Sequence, residues 1–89
     1  MQAVLLFPSV HQVLRAEKVL GKAGVAGSLI PVPRQLSSDC GMAWSLAPEL
    51  VETALATLKA AGLWPETGWA ETEDGWSPLD LDGAIAPKP

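Results

Sequence analysis

Cysteine and histidine are almost missing from this sequence, which has one of each among 89 residues, and tyrosine is absent altogether. A single cysteine excludes a disulfide or a dithiol redox cycle within the chain. One Cys and one His are too few ligands for a zinc centre, and no glycine-rich phosphate motif is present, so we expect no metal or other cofactor. An unpaired thiol is typical of a reducing compartment, which predicts a cytoplasmic location.

Basic residues and long apolar runs are scarce as well. Six Lys and Arg stand against ten Asp and Glu, which gives a net charge of −4 and a pI near 4.7. Proteins that bind nucleic acid concentrate Lys and Arg on one surface, so we expect no nucleic-acid partner. The apolar run at residues 3–7 is too short for a signal peptide or a membrane span and has no basic flank.

What is present is enough apolar surface for one hydrophobic core. Hydrophobic residues make up 48 % of the chain, which also includes four Trp and one Phe. A chain of this length forms one domain with a small core. We expect it to fold alone or as a small oligomer.

The first half of the sequence predicts a strand followed by a helix. Residues 3–7 form a short apolar run that Pro8 ends, as in a buried strand. Ser9 stands three residues before Gln12, the spacing of a helix-capping box, and predicts a helix over 10–23. The residues expected on its buried face are Val10, Val13, Leu14, Ala16, Leu20 and Ala23.

The remaining elements complete an α+β pattern. We expect strands over 25–32 and 42–46, a helix that begins near Pro48 and is closed by Gly62, and a fourth strand within 64–72. This β-α-β-β-α-β order predicts a ferredoxin-like split fold, an antiparallel sheet with both helices on one face. The domain is expected to cover residues 1–72, and residues 73–89 to form a weakly structured tail rich in Pro, Asp and Gly.

The polar loop between the second and third predicted strands contains Cys40. Gly41 lets the backbone adopt positive φ there, so that N–H groups can point at a thiolate. Arg34 favours the thiolate, whereas the carboxylate of Asp39 disfavours it. The alternative is that Cys40 is a small buried hydrophobic residue, as most lone cysteines are. The polar residues before it favour a functional loop.

Three other sets of residues have both a functional and a structural interpretation. His11, in the first helical turn, can transfer a proton if the loop folds over the helix start, or is merely solvated. Ser37 and Ser38 have no His and Asp at a recognisable triad spacing, so they are expected to support the loop. The four tryptophans can form an aromatic wall, although at least two are expected in the core: Trp44, Trp64, Trp69 and Trp76.

Three stretches of the sequence resemble a family of small bacterial proteins described as selenium/sulfur carriers. They are Leu6-Phe-Pro-Ser-Val-His11, Ala16-Glu-Lys18 and Ile30-Pro-Val-Pro-Arg-Gln-Leu-Ser-Ser-Asp-Cys-Gly-Met-Ala43. The last stretch is the most specific. The resemblance covers about residues 1–72 and leaves the expected tail outside.

The resemblance implies that Cys40 receives sulfur or selenium as a persulfide or perselenide. Pro33, Arg34 and Gly41 match the motif around this cysteine. The expected function is therefore that of a carrier, rather than an enzyme with its own turnover, which takes the atom from a donor protein and passes it to an acceptor protein. Two alternatives stay open: a noncatalytic interaction module, and a redox sensor that uses the single thiol.

Overall fold

A computed structural model of the chain describes residues 1–36 and 41–81. Five strands and two α-helices alternate in the order β-α-β-β-α-β-β. A short 3-10 turn, Pro48–Leu50, precedes the second helix. The elements are β1 Ala3–Leu6, α1 Val10–Lys22, β2 Ser28–Pro31, β3 Met42–Leu46, α2 Val51–Ala60, β4 Thr67–Thr72 and β5 Gly75–Pro78.

The five strands form one sheet in the order β2-β3-β1-β4-β5, and every neighbouring pair is antiparallel. The first four strands have the spatial order of the ferredoxin-like split fold, in which each crossover through a helix passes over an intervening strand. The predicted fold class is therefore confirmed. The central strand β1 is buried along its whole length, as its continuous apolar sequence predicts.

The fifth strand was not expected, and it lies within the segment interpreted as a weakly structured tail. Glu73 and Asp74 join β4 to β5, and Gly75 begins β5 with φ +131°. The Asp-Gly pair is a hairpin signal that the tail interpretation overlooked. The sheet therefore continues beyond residue 72. Residues 82–89 of the expected tail lie outside the described residues.

The start of α1 follows the prediction closely. The backbone N–H of Gln12 donates a hydrogen bond to Ser9 Oγ over 3.3 Å, and Ser9 itself has extended backbone dihedrals. This is the N-cap interaction that the Ser-x-x-Gln spacing predicts. This hydrogen bond fixes the residue at which α1 begins after β1.

The expected buried face of α1 is only partly correct. Val13, Ala16 and Leu20 are fully buried, whereas Val10 and Leu14 are 42 % and 43 % exposed. Leu14 follows Val13 by about 100° around the helix, which turns it away from the sheet. Ala23 lies beyond the last helical residue and is also exposed.

Both helices pack on the same face of the sheet, as predicted. The side of α2 that meets the sheet consists of Val51, Ala54, Leu55 and Leu58. Gly62 ends the helical segment with φ +76°, a left-handed conformation that glycine adopts readily. No helix in the part of the chain that the structure describes is both long and apolar enough to cross a membrane.

Candidate functional site

The sheet face opposite the helices, called the open face below, has a hydrophobic cluster of its own. Val4, Leu6 and Ala43 are buried there, and Leu36 packs on them with an exposed fraction of 8 %. Leu36 comes from the polar loop after β2. The loop is therefore anchored to the middle of the sheet by one apolar side chain.

Leu36 is not among the residues that the sequence predicts for the site. A single large apolar residue between Gln35 and Ser37 in an otherwise polar loop is the signal that pointed to such an anchor. The face that receives Leu36 follows from the sheet register, in which Leu6 pairs with Ala43.

Backbone hydrogen bonds hold both ends of this loop. The N–H of Leu36 donates to the carbonyl of Pro33 over 3.0 Å, and the N–H of Val32 donates to the carbonyl of Gly41 over 3.2 Å. Gly41 has φ +76°, so the chain turns sharply directly after the cysteine. The four residues between these fixed points, Ser37, Ser38, Asp39 and Cys40, lie outside the described residues.

The other two predicted site residues are both exposed. Arg34 lies three residues past the end of β2, and His11 is the second residue of α1. No hydrogen bond joins these two described side chains. Both side chains are therefore open to solvent.

The sheet topology places the loop and the start of α1 at one end of the molecule. Leu6, Pro31, Met42, Thr67 and Pro78 lie where their strands reach this end, as the strand register shows. We call it the loop end of the sheet. The loop joins β2 to β3 there, and α1 begins there after β1. The topology thus brings His11 and the cysteine loop to the same end.

The four tryptophans divide between the two faces. Trp44 is 3 % exposed within the core on the helix side, and Trp64 packs against that core while remaining half-buried. Trp69 and Trp76 pack, also half-buried, against the cluster of the open face. Only Trp44 is thus a fully buried core residue, so the expectation of at least two was too high.

The described part of the chain contains no cluster of metal-binding side chains. Within residues 1–36 and 41–81, no three His, Cys, Asp or Glu side chains come close enough together to hold an ion.

Fold and loop together define a small ferredoxin-like domain with a single-cysteine loop at one end of its sheet. Residues 2–69 match the protein family described as "Putative Se/S carrier protein-like", and the chain belongs to that family. The matched region includes the cysteine loop and β1 to the middle of β4. No curated protein and no solved structure matches the chain.

Proposed function

We propose that the protein carries sulfur or selenium on Cys40 as a persulfide or perselenide. The observation on which this rests is the family match, which spans the chain's one cysteine and the loop around it. The anchored loop supports the proposal, because its two ends are fixed by hydrogen bonds and by Leu36. A carrier needs its thiol held at a defined place while it meets two different partners.

The transfer requires only one thiol and no net oxidation. The Cys40 thiolate attacks the terminal sulfur of a persulfide on a donor protein. A new S–S bond forms on Cys40, the S–S bond of the donor breaks, and the donor's cysteine leaves as a thiolate. Attack by an acceptor's thiolate on the terminal sulfur of the carrier reverses these roles and restores the Cys40 thiolate. The same exchange with a perselenide moves selenium.

Positive groups near the loop favour the anionic forms of this cycle. Arg34 precedes the cysteine by six residues, and the amino end of α1, whose free N–H groups carry partial positive charge, lies at the same end of the sheet. His11 in that first turn is proposed to accept the thiol proton or return it. Pro33, Ser37, Ser38 and Gly41 are proposed to shape the loop, and Asp39 to limit the thiolate fraction.

A carrier of this kind has two classes of partner, donor proteins and acceptor proteins. Each must present a cysteine to the same loop, so the two partners compete for the loop end of the sheet. The exposed residues at this end would make the contacts, while the buried β1 holds the end rigid.

Mass spectrometry of the intact protein tests the proposal. After incubation with a cysteine desulfurase and cysteine, the wild-type protein is expected to gain the mass of one sulfur atom, and a thiol reductant is expected to remove it. With selenocysteine as the source, the expected gain is one selenium atom. Cys40→Ser is expected to gain neither.

The matched control is Gln35→Ala, which alters an exposed residue of the same loop but keeps the thiol. It is expected to load sulfur as the wild type does. A wild-type protein that gains no mass, or a Cys40→Ser variant that gains as much as the wild type, would refute the carrier proposal.

The contribution of Arg34 can be measured separately, through the reactivity of Cys40. Arg34→Gln is expected to slow alkylation of the thiol by iodoacetamide at neutral pH by about two-fold, the size expected for one solvent-screened charge. Lys22→Gln removes an exposed charge from the last turn of α1, at the opposite end of the sheet, and is expected to leave the rate unchanged. Equal rates in the wild type and Arg34→Gln would remove Arg34 from the site.

A further inference from the structure

A second surface feature lies at the loop end of the sheet, on the side of β4 and β5. The segment before β4 and the segment after β5 enclose a cleft of about 340 Å³. The N–H of Leu79 donates to the carbonyl of Gly68 over 2.8 Å, and the N–H of Glu66 donates to the carbonyl of Leu6 over 2.7 Å. Both walls are therefore tied to the sheet, so the cleft is a fixed feature of the fold.

The lining of this cleft combines aromatic rings with negative charge. Trp64, Trp69 and Leu79 line it together with the acidic residues Glu66 and Asp80. No basic residue occurs among its described lining residues. An apolar surface with carboxylates beside it disfavours an anion and suits a cation that has an apolar stem.

The local interactions of Trp69 and Glu66 leave the ring and the carboxylate of these two residues exposed to the cleft. The indole N–H of Trp69 donates to Thr67 Oγ1 over 3.2 Å, so the polar atom of this ring is satisfied within β4. Glu66 is bound to β1 through its backbone alone, and its side chain is exposed. The ring of Trp69 and the carboxylate of Glu66 can therefore both contact a ligand.

We propose that this cleft binds an arginine or lysine side chain of a partner protein. The aliphatic stem would lie against Trp64, Trp69 and Leu79, and the cationic group would meet the carboxylate of Glu66. Tryptophan gives the strongest cation–π attraction of the aromatic residues, and the negative charge of the whole chain, −4, adds to the attraction of a basic partner.

The position of the cleft makes it suitable for docking beside the cysteine loop. Neighbouring strands lie about 4.8 Å apart, so β4, which borders the cleft, is about 10 Å from β3, which follows the loop. One partner surface can cover both. The inference does not depend on what Cys40 carries, because it rests on the lining of the cleft and on the charge of the chain.

Titration of the full-length ¹⁵N-labelled protein with two peptides tests the proposal. The probes are acetyl-Gly-Arg-Gly-amide and the same peptide with citrulline, which replaces the guanidinium by a neutral group of nearly the same shape. We expect the arginine peptide to shift the indole N–H signals of Trp64 and Trp69 with a Kd in the millimolar range, and the signals of Trp44 and Trp76 to stay in place. Equal shifts with the citrulline peptide would overturn the proposal.

Three charge variants complete the test, each made in the full chain. Glu66→Gln is expected to weaken binding of the arginine peptide about three-fold, whereas Glu49→Gln, at an exposed carboxylate in the 3-10 turn before α2, leaves it unchanged. Equal weakening by both variants would show general charge attraction and refute the site. Lys88→Gln is expected to have no effect. Binding several times tighter in that variant would show that the chain's own lysine competes for the cleft, and would overturn the assignment to a partner.

Discussion

Replacing Phe7 with alanine is expected to lower the free energy of unfolding by about 3–5 kcal/mol. Phe7 is the largest fully buried side chain in the described structure, and it packs in the core between the sheet and the two helices. Alanine would leave a cavity there that rigid strands cannot close. A domain of 89 residues has a total stability of about 4–13 kcal/mol, so the variant should lose a large share of it.

Urea unfolding followed by circular dichroism measures this loss. Val10→Ala is the matched control, because Val10 also lies just after β1 but is 42 % exposed. Its expected change is within about 0.5 kcal/mol. If Phe7→Ala cost no more than Val10→Ala, the packing described for the helix side of the sheet would be incorrect.

Changing Gly27 to alanine is expected to lower the free energy of unfolding by about 1–3 kcal/mol. A Cβ at this position would lie 2.6 Å from the carbonyl oxygen of Ser45 and 2.7 Å from two ring carbons of Trp44. Neither neighbour can yield easily, since one is backbone within β3 and the other is a buried indole. The strand β2 approaches β3 closely only because residue 27 has no side chain.

The same substitution at Gly21 is expected to act in the opposite direction. Gly21 lies within α1 and has open space around its missing Cβ, so alanine should raise the free energy of unfolding by up to about 1 kcal/mol through its better helix propensity. Urea unfolding of the two variants side by side measures both effects. The contact described at Gly27 would be contradicted if the two alanines changed stability in the same direction.

The order and type of the first six elements were predictable from local sequence signals. Strand β3 has the predicted bounds, 42–46, and the Ser9 cap places the start of α1. Both signals are strong because each acts within a few residues. A short apolar run predicts a buried strand, and a serine side chain that accepts from the backbone N–H three residues later predicts a helix start. The order of the first four strands in the sheet then follows from the ferredoxin-like split fold that this order of elements predicts.

The limits of β2 and the existence of β5 were harder to predict. β2 begins at Ser28 rather than at residue 25. Val25 instead belongs to the turn that follows α1, where its N–H donates to the carbonyl of Leu20. β5 contains one large apolar residue and a proline, which is too little for a strand signal of its own. It forms because β4 offers a free edge and a tight turn leads back to it.

The candidate site, too, was predictable from the sequence only in part. The position of the cysteine loop between two strands follows from the order of elements, and the family resemblance points to the residues within it. The anchor at Leu36 and the cleft beside Trp69 depend on contacts between distant parts of the chain. The sequence shows that Leu36 is apolar within a polar loop, but it does not show where that side chain packs or that a cleft forms beside Trp69.

The two outermost strands of the sheet each contain a proline, and this has a consequence for how the protein meets other chains. Successive N–H groups of a strand point to opposite sides. Those of Val32 and Leu79 point into the sheet, where each donates to a neighbouring backbone carbonyl. Pro31 and Pro78, one residue earlier, therefore occupy the positions whose N–H would point out from the edge of the sheet. A foreign strand that approached either margin would find one of its bonding positions blocked. Both prolines therefore disfavour edge-to-edge pairing of this sheet with a strand of another chain.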